Sequence, residues 1–468
     1  MTTVGIFMAT LDSSIVVVGL PTVIESLKTT LTAGIWIITG YRLMITVLLV
    51  TIGRLADMIG RVKLYNWGFV VFTVGSALCV VAPEASTLIA FRLVQGIGAA
   101  LLFVNSMAIV TDAFPPNELG TGIGINQMAI NAGTIVGYTL SGVMIGLFGW
   151  RSLFAINLPV GVFGTYWAHR QLRELPRQDR DERFDLAGAV VFSTALTILL
   201  LAMTVSDVRA AVTQLAILVS AVIFAGFFLV ERSARFPVID VGLFKTRAFG
   251  FGNFTNLLNG VTFGSLTFSM TLYFQLVKGY SPLEAGLALI PLDVTLIVIG
   301  PISGRLSDRF GARWLSTIGL AICGLAFIAL TSLDLNTPEA VTTGWLALTG
   351  FGIGLFRSPN ASSVMASVSA EQRGMAAAIR STILNTSMVV SVPLATLVMS
   401  FVMPYNSLSA IISGTSTGQA ELMLLMSALR YAFISFSAIN FAAAVMSPLR
   451  GKRKISQPLV SPHELGPH

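Results

Sequence analysis

The chain has 468 residues, of which 54% are hydrophobic and only 11% charged, with a mean hydropathy of +0.81. A soluble domain carries about 25% charged residues, so these charges cannot coat a water-soluble globule of this length, and disorder, which needs charge-rich and apolar-poor sequence, is excluded too. The 29 basic and 22 acidic side chains leave a net charge of +7, a surplus that loop placement accounts for without a nucleic-acid partner.

A bilayer core about 30 Å thick needs roughly 20 apolar residues per helix. Fourteen such runs follow in chain order: 4–24, 33–53, 62–82, 87–113, 120–147, 150–170, 185–205, 210–231, 248–276, 283–303, 314–332, 341–366, 374–403 and 424–447. The alternating ten-residue segments of an outer-membrane barrel are not seen. The first run is not a secretory signal, because it lacks a basic flank and contains Asp12. Almost nothing precedes it, so a short leader is expected ahead of it. Turn chemistry separates the runs at Ala82-Pro83-Glu84, Phe114-Pro115-Pro116-Asn117, Leu333 to Pro338 and Pro404 to Gln419. Charged linkers cover 169–184 and 231–247.

Cationic loops stay on the cytoplasmic side of a membrane. With the N-terminus inside, the inner loops and tail hold 20 basic residues and the outer loops 4. Both termini are therefore expected in the cytoplasm, and the protein in the cell membrane. Arg42, Arg92, Arg357, Arg380 and Arg430 fall within runs. For Arg42, Arg380 and Arg430, near the ends of theirs, snorkelling toward the interface is the expectation.

An internal repeat organises the chain. Gly53-Arg54-Leu55-Ala56-Asp57-Met58-Ile59-Gly60 returns as Gly304-Arg305-Leu306-Ser307-Asp308-Arg309-Phe310-Gly311. Gly96, Gly98 and Gly120 match Gly350, Gly352 and Gly374 at a constant offset of 254. The expected fold is an all-α membrane protein with two six-helix halves, 1–171 and 247–448. Between them, 172–246 holds linkers and two inserted helices expected at the lipid-facing periphery, and 449–468 is a cytoplasmic tail. Parallel halves with a mid-membrane site between them are a transporter architecture.

Four segments carry a family resemblance. They are Leu11-Asp12 through Leu20-Pro21, the Gly53–Lys63 loop, Arg92 through Gln95-Gly96-Ile97-Gly98, and Trp150-Arg151 through Asn157-Leu158-Pro159-Val160-Gly161. In these the chain resembles the major facilitator superfamily, and within it the fourteen-helix drug:proton antiporter branch. The resemblance implies alternating access, proton coupling and export of lipophilic or organic compounds, with a proton-relay role for Arg92. Two departures stand out: Val17 replaces an Asn of the first-helix signature, and Gly137-Tyr138 through Ser141-Gly142 replaces the Gly-Pro and Gly-Gly of the fifth-helix antiporter motif.

The residues themselves suggest roles. Asp12, deep in the first run, costs roughly 2.5–3.5 kcal/mol to insert and should face a cavity or a partner. A shielded carboxylate of that kind can carry a coupling proton, with Arg92 beside it; pairing with an arginine of another helix is the plain alternative. Asp293 is the other acid at mid-membrane depth. It either pairs with Arg357 or leaves Arg357 to bind substrate charge. Asp57, Arg61, Asp308 and Arg309 sit at the inner mouth, where breakable contacts can gate access. Asn105, Gln127, Asn131, Asn256 and Asn259 are candidate cavity-lining groups, and interhelical hydrogen bonding explains any one of them equally well. Glycine-rich runs at 96–100 and 350–354 suit close helix contact. Neither a phosphate-binding GxxxxGK loop nor an HExxH cluster is present, so neither ATP-driven transport nor membrane-enzyme chemistry is expected. Cys79 and Cys323 read as free thiols, and with two of the three histidines on the tail no metal site or cofactor is expected. The expected partners are a small-molecule substrate, protons and lipid. Proton-coupled uptake of a metabolite, or a non-transporting membrane sensor or enzyme, are the alternatives.

Overall fold

The computed structural model describes residues 2–113, 119–172, 186–205, 211–233, 241–368, 372–412 and 418–451. All regular structure among them is helical. The first group comprises α1 (Thr2–Ser26), α2 (Leu31–Ile59), α3 (Arg61–Val81), α4 (Ala85–Ala113), α5 (Leu119–Phe148), α6 (Ser152–Ala155) and α7 (Asn157–Gln171). Two helices follow, α8 (Leu186–Val205) and α9 (Ala211–Ser233). The last group is α10 (Arg247–Leu272), α11 (Pro282–Phe310), α12 (Ala312–Leu330), α13 (Glu339–Met365), α14 (Arg373–Ser400), α15 (Tyr405–Ile412) and α16 (Gln419–Met446). Nine helices among the described residues are long and apolar enough to cross a membrane, with shorter apolar stretches at Val190–Met203 and Ala211–Phe227.

Two features depart from the sequence reading. The apolar run 150–170 is broken near Ile156 into α6 and α7. The Pro404–Gln419 stretch, read as a turn, contains α15, whose Leu408, Ile411 and Ile412 are buried. Pro404 precedes its first residue, where the missing N–H costs nothing, and one apolar face suffices to dock a helix too short to span.

Packing follows the repeat. In the first group α3 lies on α4, α1 on α5 and α2 on α4; in the last, α13 lies on α11 and α12, and α10 on α14. Both repeated loops close the same way. Gly60 (φ 119°) and Gly311 (φ 80°) end α2 and α11, each donating its N–H, to Ala56 and Ser307 at 2.9 Å. The positive φ favours glycine there. The glycine-rich runs do bring helices close: a β-carbon on Gly350 would fall 2.1 Å from the Leu292 carbonyl oxygen.

The two groups meet along a seam where α5 packs on α11 and α2 on α14. Among the described residues, several of its hydrogen bonds lie toward one end. Leu31 N–H donates to Ser409 Oγ (3.3 Å), Thr32 and Tyr405 share a hydroxyl–hydroxyl bond (2.5 Å), and Gln275 Nε2 donates to the Val18 carbonyl (2.8 Å). At that end a β-carbon on Gly142 would fall 2.0 Å from Leu283 Cα, and one on Gly286 2.2 Å from the Tyr138 carbonyl oxygen. Small residues let the backbones touch there. Outside the seam, α8 packs against both α2 and α14, through Leu196 and Leu200 against Leu43 and Val389. It spans the junction of the groups. α9 lies beyond it, with Val212, Leu215, Leu218 and Val222 exposed.

Candidate functional site: two buried charged centres

The first centre grows from the packing of α1, α3, α4 and α7. Asp12 on α1 is wholly buried, and Arg92 on α4 is 1% exposed. Arg92 Nη1 donates to Asp12 Oδ2 at 2.5 Å. Asp12 Oδ1 accepts from Gln95 Nε2 (2.8 Å) and Asn157 Nδ2 (2.7 Å). Arg92 Nε donates to the Ile37 carbonyl (3.0 Å) and Nη1 also to Gln95 Oε1 (2.6 Å). Its guanidinium carbon lies 4.0 Å from the Tyr41 ring centroid, and Ser76 Oγ holds Gln95 from α3 at 2.7 Å. Both carboxylate oxygens are therefore satisfied by charged or amide donors. The structure brings Asp12 and Arg92 together, and adds Gln95 and Asn157, which were not singled out as site residues. The signal available for them was an amide in an apolar run, one helical turn from Arg92 in one case and at the start of α7 in the other.

The second centre lies among α10, α11, α13 and α14. Asp293 on α11 is 6% exposed, and its Oδ2 is buried without a hydrogen-bond partner. Arg357 on α13 lies within electrostatic reach of Asp293, but among the described residues the two form no ion pair or hydrogen bond. Arg357 instead covers Phe263, 4.5 Å from its ring centroid, while its Nε and Nη2 find no partner. Arg380 on α14 has a buried Nε without one as well. Tyr138, from the other side of the seam, is within electrostatic reach of Asp293, Arg357 and Arg42.

The remaining candidates separate. Asn259 Nδ2 donates to Asn440 Oδ1 of α16 at 3.5 Å, an interhelical bond. Asn105 Nδ2 donates to the Leu101 carbonyl of its own helix (2.7 Å). Asn256 is buried, with an unpartnered Nδ2. Asn131 and Arg61 are half-buried and Arg309 is exposed. The side chains of Asp57, Asp308 and Gln127 lie outside the described residues. Snorkelling fits Arg430, whose side chain is 44% exposed near Asp334 at 3.9 Å. It does not fit Arg42, which bridges the seam from Ser13 Oγ (3.0 Å) to the Met388 carbonyl (3.3 Å); Arg380 is half-buried. Arg450, counted with the tail, is buried and bonded to Ser447 and Ser316. Depth along a helix says nothing about which face a side chain takes.

Two repeated helical groups packed along a seam, with charged side chains buried where a membrane would surround them, define a multi-pass membrane transporter. The family model described as Major Facilitator Superfamily matches residues 2–392 and 253–460, and the chain belongs to that superfamily. Among its relatives is the riboflavin transporter RibZ of Clostridioides difficile, 32% identical over 82% of this chain and 84% of that one. The methylenomycin A resistance protein of Streptomyces coelicolor is 34% identical over 75% and 74%. The multidrug resistance protein Stp of Mycobacterium tuberculosis (strain H37Rv) is 32% identical over 81% and 71%. The fold matches a bacterial homolog of the human lysosomal transporter Spinster, solved inward-facing and unoccupied, with a TM-score of 0.70, 17% identity and coverage of 96% and 95%.

Proposed function

We propose that this chain is a proton-coupled secondary transporter that exports organic compounds across the plasma membrane by alternating access. It crosses the membrane fourteen times, with both termini cytoplasmic. The observation that carries this reading is the seam: among the described residues several of its bonds lie at the end formed by 27–31, 278–282 and 401–412, and buried charges lie in both groups below it. A seam bonded at one end can part there and close at the other, exposing the interior alternately to each side. In this reading the closed end is extracellular. The repeated loops with Asp57, Arg61, Asp308 and Arg309 form the cytoplasmic gate. Asp12 with Arg92, and Asp293, are the protonatable centres that couple the motion to a proton gradient.

Export is favoured by the relatives that confer resistance to methylenomycin A and to multiple drugs. Uptake is kept as a second reading because the riboflavin transporter relative matches over 82% of the chain. Proteoliposomes loaded with a pH-sensitive dye test the coupling. A transported compound, found by screening riboflavin and lipophilic dyes, should move protons with it. Asp12→Asn should lose uphill transport driven by a pH gradient while still binding the compound and exchanging it downhill. Uphill transport at the wild-type rate in a normally abundant variant would remove Asp12 from the coupling. Absence of proton movement with any transported compound would remove the coupling altogether.

A further inference from the structure

The charges of the second centre do not balance. Arg357 and Arg380 lie within electrostatic reach of each other and repel. One carboxylate, Asp293, faces Arg357 without bonding it. The carboxylate of the first centre, Asp12, is fully engaged by Arg92, Gln95 and Asn157. Arg42, a further cation at the seam, is bonded through its Nε and Nη1. Buried guanidinium nitrogens without partners are costly and rare in a native protein, and call for an ion or ligand that completes them.

The uncovered atoms have a defined shape. Nε and Nη2 form one straight edge of the Arg357 guanidinium, the edge that grips two oxygens of a carboxylate or phosphate side by side. Phe263 lies against the face of the same group, holding its plane by cation–π attraction while the Nε–Nη2 edge stays without a hydrogen-bond partner. A third donor stands nearby in the fold. Asn256 Nδ2, also unpartnered, belongs to α10, which packs on both α13 and α14. At about 1.5 Å rise per residue, the backbones of residues 256, 357 and 380 all lie roughly 10–14 Å from the end where α10 and α14 begin and α13 stops.

We infer that Arg357 and Arg380 form the binding site for the anionic group of the transported compound, a carboxylate or phosphate, so that the substrates of this protein are organic anions. The inference rests on the transporter reading above and names its substrate class.

Two dyes with one xanthene skeleton and opposite charge test it: 5-carboxyfluorescein and rhodamine 123, titrated by fluorescence polarisation against the purified protein in lipid nanodiscs. The anion should bind about tenfold more tightly or better. Arg357→Gln and Arg380→Gln should each weaken it by about tenfold and leave the cation unchanged or tighter. Benzoate and phenyl phosphate, used as competitors, tell a carboxylate site from a phosphate site. Both Gln variants remove a buried charge without stranding a partner, so they should elute as folded protein with an equal or higher melting temperature. If either fails to fold, Arg357→Lys and Arg380→Met replace it in the same titration. Arg357→Lys should lose most of the anion affinity, because a point charge has no side-by-side edge. Preference for the cation, anion binding that is unchanged in the arginine variants, or no anion binding by folded protein would overturn the assignment. Flux separates this from the transporter reading. Anion flux retained at the wild-type rate in both Gln variants removes the anion site and leaves a transporter. Anion binding without flux of any compound removes transport and leaves the site.

Discussion

In the first helical group the buried acid and base are locked together. Asp12 accepts from Arg92, Gln95 and Asn157, each at 2.8 Å or less, and Arg92 is further bonded to a backbone carbonyl and laid on the Tyr41 ring. In the second group the acid and base face one another with unpartnered atoms on both, Asp293 Oδ2 on one side and Arg357 Nε and Nη2 on the other. The halves share a repeated loop and a glycine pattern, yet they treat charge in opposite ways. A buried charge whose every valence is met holds helices in place for as long as it stays paired. One left unmet weakens the fold and is kept for what it can bind or release.

The sharpest way to break this contrast is Asp12→Ala. It strands the Arg92 guanidinium and two amides in the interior, an expected cost of about 3–5 kcal/mol, read as a collapse in folded yield or melting temperature in detergent. A smaller loss follows from Asn157→Ala, which removes one of three donors from the carboxylate and should cost about 1–3 kcal/mol in the same measurement. Asp293→Asn is the informative counterpart. No hydrogen bond is lost, so stability should stay within about 1 kcal/mol of wild type, while proton-linked flux falls. If it destabilised the protein as severely as Asp12→Ala, the two centres would be alike after all. At the bottom of the scale, Arg430→Gln breaks a largely exposed pair 3.9 Å long and should change the melting temperature by an amount equivalent to about 0.5 kcal/mol or less, fading with added salt.

Much of this was legible in the sequence because hydropathy and repetition are one-dimensional signals. The apolar runs became helices, and the loops ending at Gly60 and Gly311 took matching caps. Asp12, Arg92, Asp293 and Arg357 could each be found as a charge inside an apolar run. What joins them could not. Gln95 and Asn157 meet Asp12 across 83 and 145 residues of chain, a consequence of helix packing that no local spacing encodes. Arg42 was misjudged as snorkelling for the same reason: its height along the helix was readable, but the direction it faces was not. The eight residues of α15 escaped because a helix that docks on a seam carries neither the length nor the hydropathy of one that spans.

The placement of α8 bears on how fast such a machine can move. This helix lies over the outside of the junction, meeting α2 and α14 through Leu196 and Leu200 against Leu43 and Val389. Contacts of this sort are non-directional, so sliding one leucine past another exchanges dispersion partners of nearly equal worth. In the alternating-access reading proposed above, a helix seated this way acts as a bearing that keeps the two parts in register and adds little friction. Rough or sticky side chains in that layer would be felt as a slower stroke, with the resting positions left where they are.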